Sequence, residues 1–205
     1  MSKVSKKKVI GITGSMGSGK SKVSSLLSKN YPVIDCDKIN ADLLKKGHKG
    51  YDVLLAAGLV SLKEDQEINK VQLSTVMFQD EAIKKQVESL LHPLIFEAMH
   101  AWIDEQTNEL VFVEMPILFE IGAQSHFDSV WCVVCEQVIA LERLCMYRHI
   151  NEEEALSRLA HQMPVEEKIK RANQVIYNNG SLTQLEDQIV QCLEREGVWK
   201  LKNRA

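Results

Sequence analysis

Gly14-Ser-Met-Gly-Ser-Gly19-Lys20-Ser21 is a glycine-rich run that ends on a lysine and a hydroxyl. It fits G-x-x-x-x-G-K-[ST], a pattern with chemical meaning only between a strand and a helix. Both flanks are present. The apolar run Lys8–Thr13 predicts a strand, and Gly19–Asn30 has a helix's apolar spacing. In that setting the glycines Gly14, Gly17 and Gly19 let the chain wrap tightly and turn its N–H groups inward. Those N–H groups then make a nest for phosphate oxygens, and the helix adds its positive N-terminal end. Lys20 can reach the β- and γ-phosphates of a nucleotide, and the Ser21 hydroxyl can ligate Mg²⁺. The phosphate tail of a nucleotide, with Mg²⁺, is the expected ligand.

Other groups gather where such a site would need them. Asp35 and Asp37 follow the short predicted strand Pro32–Asp35, and ligands of open α/β sheets bind beyond the carboxyl ends of strands. A carboxylate there can take a proton from an incoming hydroxyl or help hold Mg²⁺. Asp37 also fits a helix cap for the run Lys38–Lys45. Glu114 ends the predicted strand Leu110–Glu114 and fits either metal support or a plain strand-end charge. Arg143, Arg148 and Arg158 lie on or between two polar-faced helices, Glu136–Tyr147 and Asn151–His161. Arginines on a mobile lid can offset charge on a transferred phosphoryl group, and charged helical pairs are also ordinary solvated faces. His92-Pro93 reads as the start of a long helix, with proline in its first turn. Asn178-Asn179-Gly180 reads as a turn after the last predicted strand, Gln174–Tyr177.

The elements that must position these groups alternate. Strands are predicted at Lys8–Thr13, Pro32–Asp35, Leu110–Glu114, Ser129–Val134 and Gln174–Tyr177. Their near-continuous apolar runs, separated by helices, argue for a parallel five-stranded sheet covered on both faces. Between Tyr51 and Gln106 nothing reads as a sheet strand. Helices are predicted there at Val53–Ala57, Gln72–Phe78 and Ala82–Leu91, then from His92 onward. The division expected is a core of 1–37 and 108–205, holding a lid at about 140–165, with a helical insertion at 38–107.

Composition places limits on class. With 205 residues the chain can build one sizeable core with inserted subdomains. A net charge of −3 gives no general drive toward nucleic acid or an anionic membrane. No apolar run approaches the roughly 18 residues a spanning helix needs. The basic start, Met1 to Lys8, reads as a tail before a strand and not as a secretory signal. The five cysteines are odd in number and scattered, so reduced thiols in a cytoplasmic protein are expected. Cys132-x-x-Cys135 falls in a predicted buried strand, which favours packing over a redox or metal role.

Taken in order, these residues resemble the dephospho-CoA kinase family from about Val9 to Ile189. The phosphate loop alone is shared by many nucleotide enzymes. The specific part is the series Val33-Ile-Asp-Cys-Asp37, Leu91-His-Pro-Leu-Ile95, Pro116-Ile-Leu-Phe-Glu120, Arg143-Leu-x-x-x-Arg148, Arg158-x-x-x-Gln162 and Val175-Ile-Tyr-Asn-Asn-Gly180. The resemblance implies a P-loop NTPase fold of the nucleoside-monophosphate-kinase type, with a helical substrate insertion and a lid. It implies transfer of the ATP γ-phosphoryl group to the ribose 3′-hydroxyl of dephospho-CoA, the last step of coenzyme A synthesis. By resemblance Asp37 matches the proposed base, with Asp35 beside it, and Arg148 matches a lid arginine. Asn178 with Gly180 matches the adenine-side loop, and His92 falls in the helical part that helps form the acceptor pocket. The chain departs from the family at Lys22, where threonine is usual, at Cys36, and at Asn173 and Tyr177, where acids are common. These changes bear on nucleotide affinity more than on the reaction. A small-molecule partner and a monomer or weak homo-oligomer are expected, without nucleic acid or membrane. Two rivals remain: a kinase for another small alcohol, and a nucleotide switch. The second usually carries an Asn-Lys-x-Asp run, which this sequence lacks.

Overall fold

The computed structural model of the chain describes residues 7–148 and 150–197, and of Arg148 the backbone only. The basic start before Lys7 therefore lies outside the described residues. In chain order the elements are β1 (Lys8–Gly14), α1 (Lys20–Leu27), β2 (Val33–Asp35), α2 (Cys36–Leu43), α3 (Lys49–Ala56), α4 (Lys70–Gln79) and α5 (Glu81–Glu105). There follow β3 (Leu110–Glu114), a 3₁₀ turn at Ala123–His126, β4 (Ser129–Val134), α6 (Gln137–Arg148), α7 (Glu152–Ala160), α8 (Val165–Arg171), β5 (Gln174–Tyr177) and α9 (Leu182–Arg195). The chain forms two compact units. One runs up to Ile34 and resumes at Thr107; the other is Asp35–Gln106.

The first unit is built on a parallel sheet ordered β2-β3-β1-β4-β5. β1 pairs in parallel with both β3 and β4, and β4 with β5. Every residue of β3 and β4 is buried, which is why these strands read as unbroken apolar runs rather than alternating ones. Ile10, Ile12, Phe112, Trp131 and Ile176 of the sheet pack with Val23 and Leu27 of α1 and with Leu185, Ile189 and Leu193 of α9. Phe112 meets Tyr31 and Trp131 edge to face, with ring centroids 5.5 and 5.3 Å apart, the arrangement that ring quadrupoles favour. Ser181 and Gln184 close a reciprocal capping box on α9.

The second unit is helical and has its own core, where Leu54, Ile68, Leu73, Val87 and Leu91 come together. The reading of His92-Pro93 as a helix start is corrected here: α5 runs unbroken from Glu81 to Glu105 with Pro93 inside it. Asp80 is the true cap and accepts from the N–H groups of Ala82 and Ile83. Proline gives up one helical hydrogen bond, yet Val87, Leu91 and Ile95 share one apolar face across it. Burial of that continuous stripe outweighs the local break. The cap of α2 is also reassigned. Asp35, not Asp37, caps the helix by accepting from the Asp37 N–H at 2.9 Å, and Asp37 stands exposed in the first turn. Gly50 lies inside α3.

At the amino-terminal edge of the sheet, Glu196 gathers the strand starts. Its Oε1 accepts from Ser129 Oγ at 2.6 Å, Trp131 Nε1 at 2.9 Å and Gln174 Nε2 at 2.9 Å. Its Oε2 pairs with Lys8 Nζ at 2.6 Å. Burial pushes this carboxyl up, but the bonds from Lys8, Ser129, Trp131 and Gln174 outweigh it and hold the pKa down to about 2. A depressed carboxyl contributes stability above its unfolded pKa and loses it as pH falls toward the folded value. Glu196→Gln is therefore expected to lower unfolding stability at neutral pH by about 3 kcal/mol. In denaturant titrations the gap should close between about pH 4.5 and pH 2. A gap that is flat with pH would contradict this assignment.

Candidate active site

β1 ends at Gly14 and α1 begins at Lys20, so the glycine-rich run bridges the carboxyl edge of the central strand and a helix N-terminus. Gly19 is the N-cap residue of α1 and offers no side-chain cap. No side chain of the cap residue takes a first-turn N–H, and the loop lies at the positive end of the helix dipole. Gly19 has φ +93°, and a Cβ on it would stand 2.1 Å from Asn178 Nδ2. Gly17 has φ +78°, and a Cβ would meet the Ala140 carbonyl oxygen at 2.7 Å. Glycine is required at both on two counts, conformation and space.

The loop's carbonyls are held from outside. Lys20 is nearly buried, and its ammonium donates to Gly14 O at 2.9 Å and Ser15 O at 3.0 Å. Asn178 Nδ2 donates to Ser18 O at 2.8 Å. Arg143 reaches Ser18 O at 3.4 Å, Gly17 O at 3.5 Å and Asn178 O at 3.0 Å. Ser18 Oγ is buried without a partner among the described residues. A buried donor left unmet is costly unless something arrives to take it, so this hydroxyl suits an anionic oxygen in the nest. Ser21 Oγ donates to Glu114 Oε1 at 3.1 Å, and Glu114 is buried. An alcohol and a carboxylate side by side are hard oxygen donors of the kind Mg²⁺ takes. The residues present fit a nucleotide tail with its cation.

Beside the loop is a cavity of about 720 Å³ lined by Met16, Leu156, Met163 and Ile169, with Glu136 and Tyr177 among its polar groups. It has the size and mixed character of a small-molecule site. Burial pushes the Cys132 thiol up to about 11 and raises that of Cys135 as well. Both are thiols at neutral pH, which is packing chemistry rather than nucleophilic chemistry.

The structure brings Gly14, Gly17, Ser18, Gly19, Lys20, Ser21 and Asn178 into direct contact around one loop. The Lys22 N–H donates to Gly19 O at 3.0 Å, within the loop's own turn, and its side chain is exposed. The Asn178 side chain is committed to the loop itself, and Gly180 is exposed two residues on. Arg148 closes α6, and its side chain lies outside the described residues. Asp35 and Asp37 sit at the start of α2, and His92 is half-buried midway along α5, all in the helical unit. Sequence reasoning quoted Gln162 only as the end of the Arg158-x-x-x-Gln162 motif, with no role, and did not single out Lys168. Gln162 Oε1 accepts the Met16 N–H at 2.8 Å. Lys168, fully buried, pairs with Glu120 Oε1 at 2.7 Å and donates to Pro116 O at 3.5 Å. Its helix α8 was not foreseen either, although Glu166 and Glu167 in its first turn and Lys170 and Arg171 in its last match the dipole.

A parallel sheet carrying this loop between its first strand and first helix defines the phosphate-loop fold. Solved shikimate kinases share that fold; the one from Bacteroides thetaiotaomicron matches with a TM-score of 0.51 at 13% identity, over 93% of this chain and 98% of that one. Closer likeness narrows the class. The chain belongs to the dephospho-CoA kinase family, whose family model matches residues 8–184. A dephospho-CoA kinase of Oceanobacillus iheyensis is 37% identical over 93% of this chain and 98% of its own length. One from Carboxydothermus hydrogenoformans is 34% identical over 95% and 96%. The solved dephospho-CoA kinase of Campylobacter jejuni superposes with a TM-score of 0.66 at 25% identity, covering 93% and 97%. Membership makes the chain an ATP-dependent phosphotransferase, and neither another-acceptor kinase nor a nucleotide switch is favoured. Among the described residues no helix is long and apolar enough to cross a membrane.

Gly19→Ala is expected to weaken ADP binding at least tenfold, roughly the effect of displacing Asn178 from Ser18 and losing loop geometry. Gly58→Ala, at a positive φ but in open space, should leave ADP binding unchanged. Calorimetric titration of both variants checks the pair.

Proposed function

We propose that the chain transfers the γ-phosphoryl group of ATP to the ribose 3′-hydroxyl of dephospho-CoA, giving coenzyme A and ADP. The observation that carries this reading is the braced loop around Lys20, in a chain that matches the dephospho-CoA kinase model almost end to end. The loop N–H groups and the N-terminus of α1 hold the donor's phosphates. The Lys20 ammonium exchanges its two carbonyl partners for β- and γ-phosphate oxygens and offsets the charge that develops there. Ser21 and Glu114 would hold Mg²⁺. When bound, that cation neutralises and orients the phosphate oxygens.

Asp37 is the general base in this reading. Asp35 fixes the first turn of α2 by capping it, so Asp37 is presented on an ordered turn two residues past β2. Its carboxylate takes the proton as the ribose oxygen forms its bond to phosphorus and the bond to the ADP oxygen breaks. The helical insertion 38–107, with His92 on α5, supplies the acceptor's seat. Arg148 at the end of α6 belongs to a lid at about 140–165 that excludes water. Such a site accelerates by positioning and electrostatics, since phosphoryl transfer asks little covalent chemistry of the protein.

Incubation with ATP, Mg²⁺ and dephospho-CoA should yield a product one phosphoryl group heavier by mass analysis. Phosphorylation of another alcohol in an acceptor panel, with dephospho-CoA untouched, would overturn the reading. Asp37→Asn is expected to lower kcat by roughly 10²-fold or more with ATP affinity within about threefold. Lys20→Met should lower kcat/KM for ATP by about 10²-fold or more. Unchanged turnover in the Asp37 variant would remove it from its role.

A further inference from the structure

We propose that Gln162 is a positioning residue for phosphoryl transfer, acting through the Ser15–Met16 peptide on Lys20; this rests on the kinase reading above. The two ends of that peptide unit are gripped separately. Its carbonyl, Ser15 O, accepts the Lys20 ammonium at 3.0 Å and the Ser18 N–H at 3.2 Å. Its N–H, on Met16, donates to the side-chain oxygen of Gln162 at 2.8 Å. Gln162 lies in the turn between α7 and α8, far along the chain from the loop.

A glycine-rich loop keeps its shape only where its polar groups have partners. The carbonyls of Gly17 and Ser18 are tied by Arg143 and Asn178. On the Met16 side, Gln162 is the tie to the amide. With that amide held, the peptide plane is fixed, and so is the carbonyl that steers Lys20. The Met16 N–H is spent on Gln162 and so is not among the donors left for phosphate.

The segment that carries Gln162 is itself anchored. The next residue, Met163, donates its N–H to Glu120 Oε1 at 3.3 Å. The same oxygen pairs at 2.7 Å with the fully buried Lys168 of α8. Lys168 also reaches Pro116 O, which accepts the Thr13 hydroxyl at 3.1 Å. Thr13 stands one residue before the loop. Gln162 is thus one end of a closed circuit that leaves β1 through Thr13, passes Pro116, Lys168 and Glu120, and returns to the loop at Met16. An isolated surface glutamine could not fix a peptide in this way, because its own ordering entropy would offset the single bond it forms.

The test uses Gln162→Ala and Gln162→Met in the full chain. Methionine keeps length and bulk but lacks a strong acceptor. ADP is titrated calorimetrically, the thermal midpoint is recorded, and the ATP and acceptor kinetics are measured for each. Both variants are expected to bind ADP about five- to tenfold more weakly. Their kcat/KM for ATP should fall at least as far, while KM for dephospho-CoA stays within about twofold and the midpoint within about 2 °C. A methionine variant that binds ADP like the parent would overturn the proposal, because bulk alone would then suffice. Loss of ADP affinity seen only with a fall of many degrees in midpoint would overturn it too. The binding arm needs no acceptor, so it judges Gln162 even if the parent chain makes no coenzyme A.

Discussion

Everything in the nucleotide half of the molecule depends on how the phosphate loop is held. Its glycines leave it few side chains of its own to fix its shape. The stabilisation comes from the partners of its carbonyls. Gly14 and Ser15 give their carbonyls to Lys20, Gly17 gives its carbonyl to Arg143, and Ser18 gives its own to Arg143 and Asn178. Each carbonyl fixed in this way fixes the plane of its peptide and the direction of the neighbouring amide. A loop braced by the protein's own groups is the preorganised kind of site from which electrostatic catalysis gains most.

The sheet divides its two edges between different tasks. At the carboxyl edge β1, β3 and β5 release the chain at Gly14, Glu114 and Tyr177, next to the groups that build the loop and its braces. At the amino edge the starts of β1, β4 and β5 are joined by one carboxylate, Glu196, through Lys8, Ser129, Trp131 and Gln174. The catalytic edge can therefore hold unsatisfied groups such as Ser18 Oγ, because the opposite edge secures strand register.

What the sequence disclosed was mostly local. The loop, Lys20, Ser21 and the apolar strands depend on neighbours within a few positions, and spacing alone exposes them. The reading of His92-Pro93 went astray because proline is a local signal and the stripe Val87, Leu91, Ile95 is a tertiary one. The cap went to Asp35 instead of Asp37 by a shift of two residues, within the usual uncertainty of helix starts. The braces were the least legible part. Arg143 is 126 positions from Gly17 and Gln162 is 146 from Met16, and no periodicity links such pairs. Arg143 was visible as a lid arginine or a solvated charge, and nothing in the sequence pointed to its hold on the loop carbonyls. Lys168 could have been suspected only from the charge order along Val165–Arg171.

The central claim is that these side chains of the protein itself hold the cradle in shape. Crystal structures of the chain alone and with ADP test it most directly. The account expects the backbone of residues 14–21 to superpose within about 1 Å, with the Lys20 ammonium moving from Gly14 O and Ser15 O to a phosphate oxygen. A loop that rebuilds on binding, freeing the Gly17 and Ser18 carbonyls from Arg143 and Asn178, would contradict it.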